Sequence, residues 1–136
     1  MKKYESYIKN LDVLKLSDRQ DLANEFIISG IIDKFMLQFK LGWKMLKALL
    51  KYEGDSIGAT GSPREIIKEA WKIYDFMDEE VWLDMLAERN NSSHVYDGTA
   101  AKALVSRILA TYIPEFETLR RGVTDRYGEA FCLANI

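Results

Sequence analysis

Between Asp18 and Tyr52 the chain contains no proline, and its apolar residues fall on nearly every side of a helical wheel: Leu22, Phe26, Ile27, Ile31, Ile32, Phe35, Met36, Phe39, Trp43, Leu46, Leu49 and Leu50. A helix with so narrow a polar face must be the central member of a bundle, or be covered in part by a second subunit. That face carries Lys40, Lys44, Lys47 and Lys51 at helical spacing. The stripe reads either as a solvated face or as a basic strip meeting a phosphate backbone or an acidic partner. Gly30, in the middle of the helix, costs about 1 kcal/mol against alanine. It is read as permitting a close helix crossing or a kink.

The other segments follow the same period. Tyr4, Tyr7, Ile8, Leu11 and Leu14 form one apolar stripe, which predicts a helix from about Lys3 to Leu16, and Ser17 and Asp18 offer an N-cap for the long helix. Glu53 to Gly61, with Gly54, Gly58 and Gly61, reads as a loop. Ser62-Pro63-Arg64-Glu65 is a capping box with proline at the first helical position. It opens a helix whose buried side is Ile66, Ile67, Ala70, Trp71 and Tyr74. Asp78 caps a fourth helix with Val81, Trp82, Met85 and Leu86 inward. Asp97-Gly98-Thr99 breaks the chain, with Thr99 as the cap of a fifth helix from about Ala100 that buries Ala103, Leu104, Ile108 and Tyr112. Pro114 is read as a kink, the pattern resumes through Phe116 and Leu119 to about Tyr127, and the last residues show no period. No alternating strand pattern appears. The expected fold is all-α: one domain over residues 1–136, an up-and-down bundle of four to five helices.

Composition removes several function classes. The 136 residues carry a net charge of −2, which argues against attachment to nucleic acid by bulk charge, though not against a local basic cleft. A single cysteine, Cys132, allows neither an intramolecular disulfide nor a cysteine-based metal cluster. The opening Met1-Lys2-Lys3-Tyr4-Glu5 has no apolar run behind it and is not a signal peptide, and Phe26 to Ile32 is too short to cross a bilayer. The expectation is a cytoplasmic protein with no membrane contact and no cofactor or metal.

Chemistry concentrates around the one histidine, in Glu88-Arg89-Asn90-Asn91-Ser92-Ser93-His94-Val95-Tyr96-Asp97. Asn90 to Ser93 are poor helix formers, so a helix should weaken here and expose polar side chains. If it continued, Arg89 and Tyr96 would share a face and His94 would point elsewhere; a local break could gather all three. Arginine offers a planar fork for phosphate oxygens, histidine passes protons near neutral pH, and tyrosine offers a phenol. Such a set can cleave RNA without a metal: one group activates the 2′-hydroxyl, another protonates the leaving oxygen, and arginine steadies the charged phosphorus centre. One histidine cannot readily be base and acid together, so a two-fold dimer sharing the cleft is expected. A capping or surface histidine is the other reading of the same residue.

Arg89, His94 and Tyr96 spell R-x-x-x-x-H-x-Y. This resembles the signature of HEPN domains, small helical bundles found with minimal nucleotidyltransferases. Gly61-Ser62-Pro63-Arg64-Glu65 with Ala70-Trp71, then Trp82-Leu83-Asp84-Met85-Leu86 with Arg89-Asn90, then Ser93-His94-Val95-Tyr96-Asp97, resemble the nucleotidyltransferase substrate-binding protein family. Many members of that family carry an acidic residue directly after the position of Asp97, where this chain has Gly98.

The resemblance implies a separate minimal nucleotidyltransferase partner and one of two roles. In the first the bundle is a metal-independent RNase toxin. Arg89 and His94 are then catalytic, Asn90 and Asp97 supporting, and Tyr96 accepts AMP from the partner, which blocks the cleft. In the second it is a non-catalytic subunit that holds or regulates the substrate of its partner. A scaffold role for a helical dimer is the third reading. The chain is not itself read as the nucleotidyltransferase. That chemistry needs clustered carboxylates on Mg²⁺, whereas Gly61-Ser62 leads into a helix without such a pair and Asp78-Glu79-Glu80 suits a helix N-terminus.

Overall fold

A computed structural model describes residues 2–91 and 97–136. Among them there is no strand, and the all-α expectation holds. The helices are α1 (Lys3–Leu14), α2 (Glu25–Tyr52), α3 (Ile57–Thr60), α4 (Pro63–Ile73), α5 (Glu79–Asn90), α6 (Gly98–Arg107), α7 (Ile113–Tyr127) and α8 (Glu129–Asn135). Side-chain contacts fix their directions. Tyr7 and Asn10 of α1 meet Gly42 and Gln38 of α2, so these two run antiparallel. Trp82 of α5 packs on Phe39 while Glu88, a turn and a half later, pairs with Arg107. Phe35 stacks on Tyr112 and Tyr52 meets Tyr127 edge-on, so α6 and α7 run with α2. α1, α2, α5 and the α6–α7 segment therefore alternate up and down, in keeping with the expected bundle.

Burial is greatest along α2, where Phe35, Phe39, Met45, Leu46, Leu49 and Leu50 lose all solvent contact. A small polar network sets the register of α1 on it. Asn10 Nδ2 donates to Gln38 Oε1 (2.8 Å) and to the Lys34 carbonyl (3.0 Å), and Gln38 Nε2 donates to the Tyr7 carbonyl (3.0 Å). A second network ties the far end together: the Tyr127 hydroxyl donates to Glu53 Oε1 and accepts from Tyr74, each at 2.7 Å.

Several expectations are corrected. The long helix starts at Glu25, not Asp18. Ser17 Oγ donates back to the Leu14 carbonyl and closes α1 through a 3-10 turn, Lys15–Arg19. Asn24 is the cap of α2, accepting from the Phe26 and Ile27 amides. Gly30 has open space where a Cβ would stand. The close crossing is at Gly42, whose Cβ would lie 2.7 Å from Trp82 Cη2. The expected loop at 53–61 contains α3, begun by Asp55 Oδ1 accepting from the Ile57 amide. Trp71 is 47% exposed, because Ile66, Ile67, Ala70 and Tyr74 fill the buried arc of α4 and position 71 falls past its edge. In α6 the buried stripe is Ala101, Leu104, Val105 and Ile108, which leaves Ala103 on the opposite side. The C-terminal residues form α8, with Cys132 and Ile136 buried. The Ser62 capping box, Pro63 at N1 and the Asp78 cap are as predicted.

Pro114 produces a widened turn rather than a bare kink. Ile108–Tyr112 is a π-turn, with the Ile113 amide bonded to the Ile108 carbonyl five residues back. Proline has no amide hydrogen and its ring collides with the carbonyl four residues earlier, and a wider turn relieves that collision.

The next residue, Glu115, is half-buried. One carboxylate oxygen accepts from the Asp78 amide (2.9 Å) and from Trp82 Nε1 (3.0 Å). Burial pushes its carboxyl above the ordinary glutamate value, with the two hydrogen bonds acting against the shift. Between that ordinary value, about 4.3, and the raised one, the folded state binds more protons than the unfolded. Stability from this group is then present at the acid end and lost as pH rises through the window. Urea unfolding at stepped pH should show this fall in wild type and not in Glu115→Gln. Glu115→Ala should cost about 1–3 kcal/mol by leaving the indole donor of buried Trp82 unpaired, with the cost shrinking as pH rises through that window.

Candidate functional site

The end of α5 and the start of α6 frame the candidate site. The helix stops at Asn90, and Asn91 is its C-cap with extended backbone (φ −94°, ψ 119°), as the run of poor helix formers predicts. A continuous helix carrying Arg89 and Tyr96 on one face is thereby excluded. Arg89 stands exposed in the last turn of α5, and Asn90 beside it is exposed too. The chain re-enters helix at Gly98, capped by Asp97. His94 and Tyr96, the other two residues singled out by sequence, lie outside the described residues.

Asp97 has a role that the sequence reading gave to Thr99. Its Oδ1 accepts from the Thr99 (2.9 Å) and Ala100 (3.3 Å) amides, satisfying the first donors of α6. A carboxylate bonded to two amides is held in place. Among the described residues, nothing lies within 4 Å of a Cβ built on Gly98. The described surroundings thus leave room for a Cβ at the position where many family members carry an acidic residue.

Sequence reading missed the clamp that holds the site. Arg107 Nη2 lies 3.0 and 2.9 Å from the two carboxylate oxygens of Glu88, joining the last turn of α5 to the end of α6. Glu88 is largely shielded, with its side chain 18% exposed, so the pair is better placed than an ordinary surface bridge. The phenol of Tyr112 is pushed above its ordinary value, by burial first and the Glu88 carboxylate second, while Arg107 acts in the opposite sense. Glu88 and Arg107 meet across two helices, so no local spacing marks them. The neighbouring arginines therefore differ in kind. Arg107 is committed to Glu88, whereas Arg89 has no ion pair or hydrogen bond from its side chain among the described residues.

No helix among the described residues is long and apolar enough to cross a membrane.

Comparison with known proteins places this arrangement. The family described as nucleotidyltransferase substrate binding protein like matches residues 1–125. The chain belongs to that family. A curated relative from Haemophilus influenzae (strain ATCC 51907 / DSM 11121 / KW20 / Rd), named probable ribonuclease HepT, is 31% identical over 105 residues, which cover 71% of each chain. The family match takes in α1 to α6 and most of α7, so it spans the bundle as well as the Arg89–Asp97 segment.

Proposed function

We propose that this chain is the HEPN-type component of a two-protein nucleotidyltransferase module, and that it cleaves RNA without a metal. Arg89 steadies the phosphate and His94 transfers the proton. Tyr96 accepts AMP from the partner nucleotidyltransferase, which silences the cleft. The observation that carries this reading is the state of Arg89: an exposed guanidinium at a helix end, unpaired among the described residues, five residues before the one histidine and next in sequence to Glu88, which holds Arg107 instead. A cation without a structural partner is free to take a phosphate. The name of the Haemophilus relative supports the same reaction class. An adenylylated Tyr96 would set a phosphate and a purine near Arg89 and offset its charge.

The test is RNA cleavage by purified protein in excess EDTA, alongside its intact mass after co-expression with the partner. Cleavage by unmodified protein, lost when one AMP is added at Tyr96, supports the proposal. The family description favours a second reading, in which the bundle holds a substrate for its partner and cuts nothing. A well-folded, unmodified protein that leaves RNA intact would select that reading.

The active form is a homodimer on this proposal, with a second His94 brought to a shared cleft. An apolar groove lined by Val13, Leu14, Leu16, Ile27 and Ile31 lies at the start of α2, the half of the bundle towards which α5 runs. Phe26, at 89% exposure, stands on the groove. In a two-fold pairing the same patch serves both copies, so each Phe26 enters the groove of the other. Phe26→Asp should weaken self-association by about 30-fold or more in sedimentation velocity, the effect of losing an anchor worth about 2 kcal/mol or more. Its urea midpoint should hardly move, because the side chain contributes little to the monomer core.

A further inference from the structure

We propose that a cleft between α1, α2 and α3 is a second site, one that binds the phosphates of a nucleotide ligand, either a single RNA strand or a free nucleotide. The cleft has a volume of about 420 Å³ and is lined by Lys3, Trp43, Lys44, Lys47 and Lys51, with Gly58 and Ala59 as its small-residue wall. Ligand pockets fall in about this size range, whereas a protein partner would need a broad face of about 800 Å². A concave site of this size suits a phosphate-bearing small group or one stretch of backbone, not an acidic protein surface.

The charge is deliberate in the sense that it costs stability. Lys44, Lys47 and Lys51 follow each other at i, i+3 and i+7 on one face of α2, and like charges at such spacing destabilise a helix by a few tenths of a kcal/mol per pair. None of these three, nor Lys3 from α1, makes an ion pair among the described residues, although the chain holds more carboxylates than cations. The Lys44 ammonium rests 5.9 Å from the Trp43 ring centroid. Close packing brings the far wall in: a Cβ on Gly58 would stand 2.5 Å from the Lys51 amide nitrogen, so only glycine lets α3 approach α2 there.

An independent observation points the same way. The indole Nε1 of Trp43 is buried and has no acceptor among the described residues. A buried donor without a partner is uncommon, and the ring that carries it lines this cleft. The cleft is distinct from the Arg89 site. Taking Trp82 and Gly42 as level, Arg89 lies seven residues along α5 in one direction and Lys47 five along α2 in the other, about 20 Å apart along the bundle.

The proposal is tested on the full chain, as wild type and as Arg89→Ala, so that it stands or falls separately from cleavage. A short single-stranded oligoribonucleotide, ATP, inorganic phosphate and an oligo-glutamate peptide are titrated while the Trp43 indole resonance is followed by NMR. RNA affinity is also measured by anisotropy over a salt series. Binding of RNA or of ATP should shift the Trp43 resonance, and whichever binds more tightly identifies the source of the phosphate. Lys44→Gln/Lys47→Gln/Lys51→Gln should weaken binding at least tenfold at low salt. It should also reduce the slope of log K against log salt for RNA by about 2, at about 0.7 for each phosphate no longer neutralised. Its melting temperature should be unchanged or higher, since like-charge repulsion is removed. Arg89→Ala should keep the Trp43 shift. Three results would overturn the proposal: an unmoved Trp43 resonance at saturating RNA and ATP, unchanged affinity in the triple variant, or a cleft that answers to an acidic peptide and to neither phosphate ligand.

Discussion

Arg89→Ala is expected to slow RNA cleavage in excess EDTA by about 10²–10³-fold, the usual consequence of removing one preorganised group that stabilises developing charge. His94→Ala should cost about 10²–10⁴-fold, the range for general acid–base groups. Neither figure follows from lost stability. Arg89 is exposed and its guanidinium touches no described partner, so its removal should shift unfolding by no more than about 1 kcal/mol, most of that from the helix dipole. Arg89→Lys is the more discriminating variant. It keeps the charge and loses the planar fork, so it should recover only part of the rate. Cleavage rates by gel and urea midpoints on the same preparations separate the two effects. An unchanged rate in Arg89→Ala would remove the guanidinium from the chemistry and favour the substrate-holding role.

The second large effect is at the crossing of α1, α2 and α5. Trp82 is fully buried, edge-on to Phe116 and tilted against Phe39, and its indole N–H is bonded to Glu115. Trp82→Ala should cost about 3–5 kcal/mol, from the apolar burial it removes and the cavity it leaves behind. Gly42→Ala places a methyl 2.7 Å from Cη2 and 3.1 Å from Cζ3 of that ring, with Tyr7 Cε2 at 3.3 Å on the other side. Overpacking of this kind costs about 1–3 kcal/mol. Trp82→Phe withdraws the outer ring atoms, so in the double variant the new methyl takes space that has been vacated. The two changes should therefore be non-additive by about 1 kcal/mol or more in the favourable direction, measured by a urea double-mutant cycle. Simple additivity would mean that the helices do not meet at Gly42.

The sequence carried the long elements well because each has an apolar stripe of several turns. α4 and α5 have caps legible in a few letters, Ser62 with Glu65 and Asp78, and the structure keeps these. The errors fall where local signals compete. Ser17 and Asn24 are both credible caps, and only the back-bond from Ser17 to Leu14 decides between them. α3 and α8 are too short to show a period. At the site, the sequence names Arg89, Asn90 and Asp97 and the structure gives each a place, but Glu88 and Arg107 become partners only once two helices lie side by side. The lysine stripe is legible as a stripe. That it lines a cleft depends on Lys3 and Gly58, which come from other elements.

The π-turn at Ile108–Tyr112 has a consequence for how the site and the core are phased. Each residue of an α-helix advances the azimuth by about 100°, so the extra residue held in the wide turn sets α6 off by that angle from the course α7 alone would dictate. Phe116 and Leu119 thus keep their azimuth in the core while Arg107 keeps a different one, facing Glu88. Deleting a single residue between 108 and 112 would bring both segments into one phase. The bundle would still bury α7, and Arg107 would swing about a quarter-turn off Glu88, unfastening the frame of the Arg89 site without altering a residue in it.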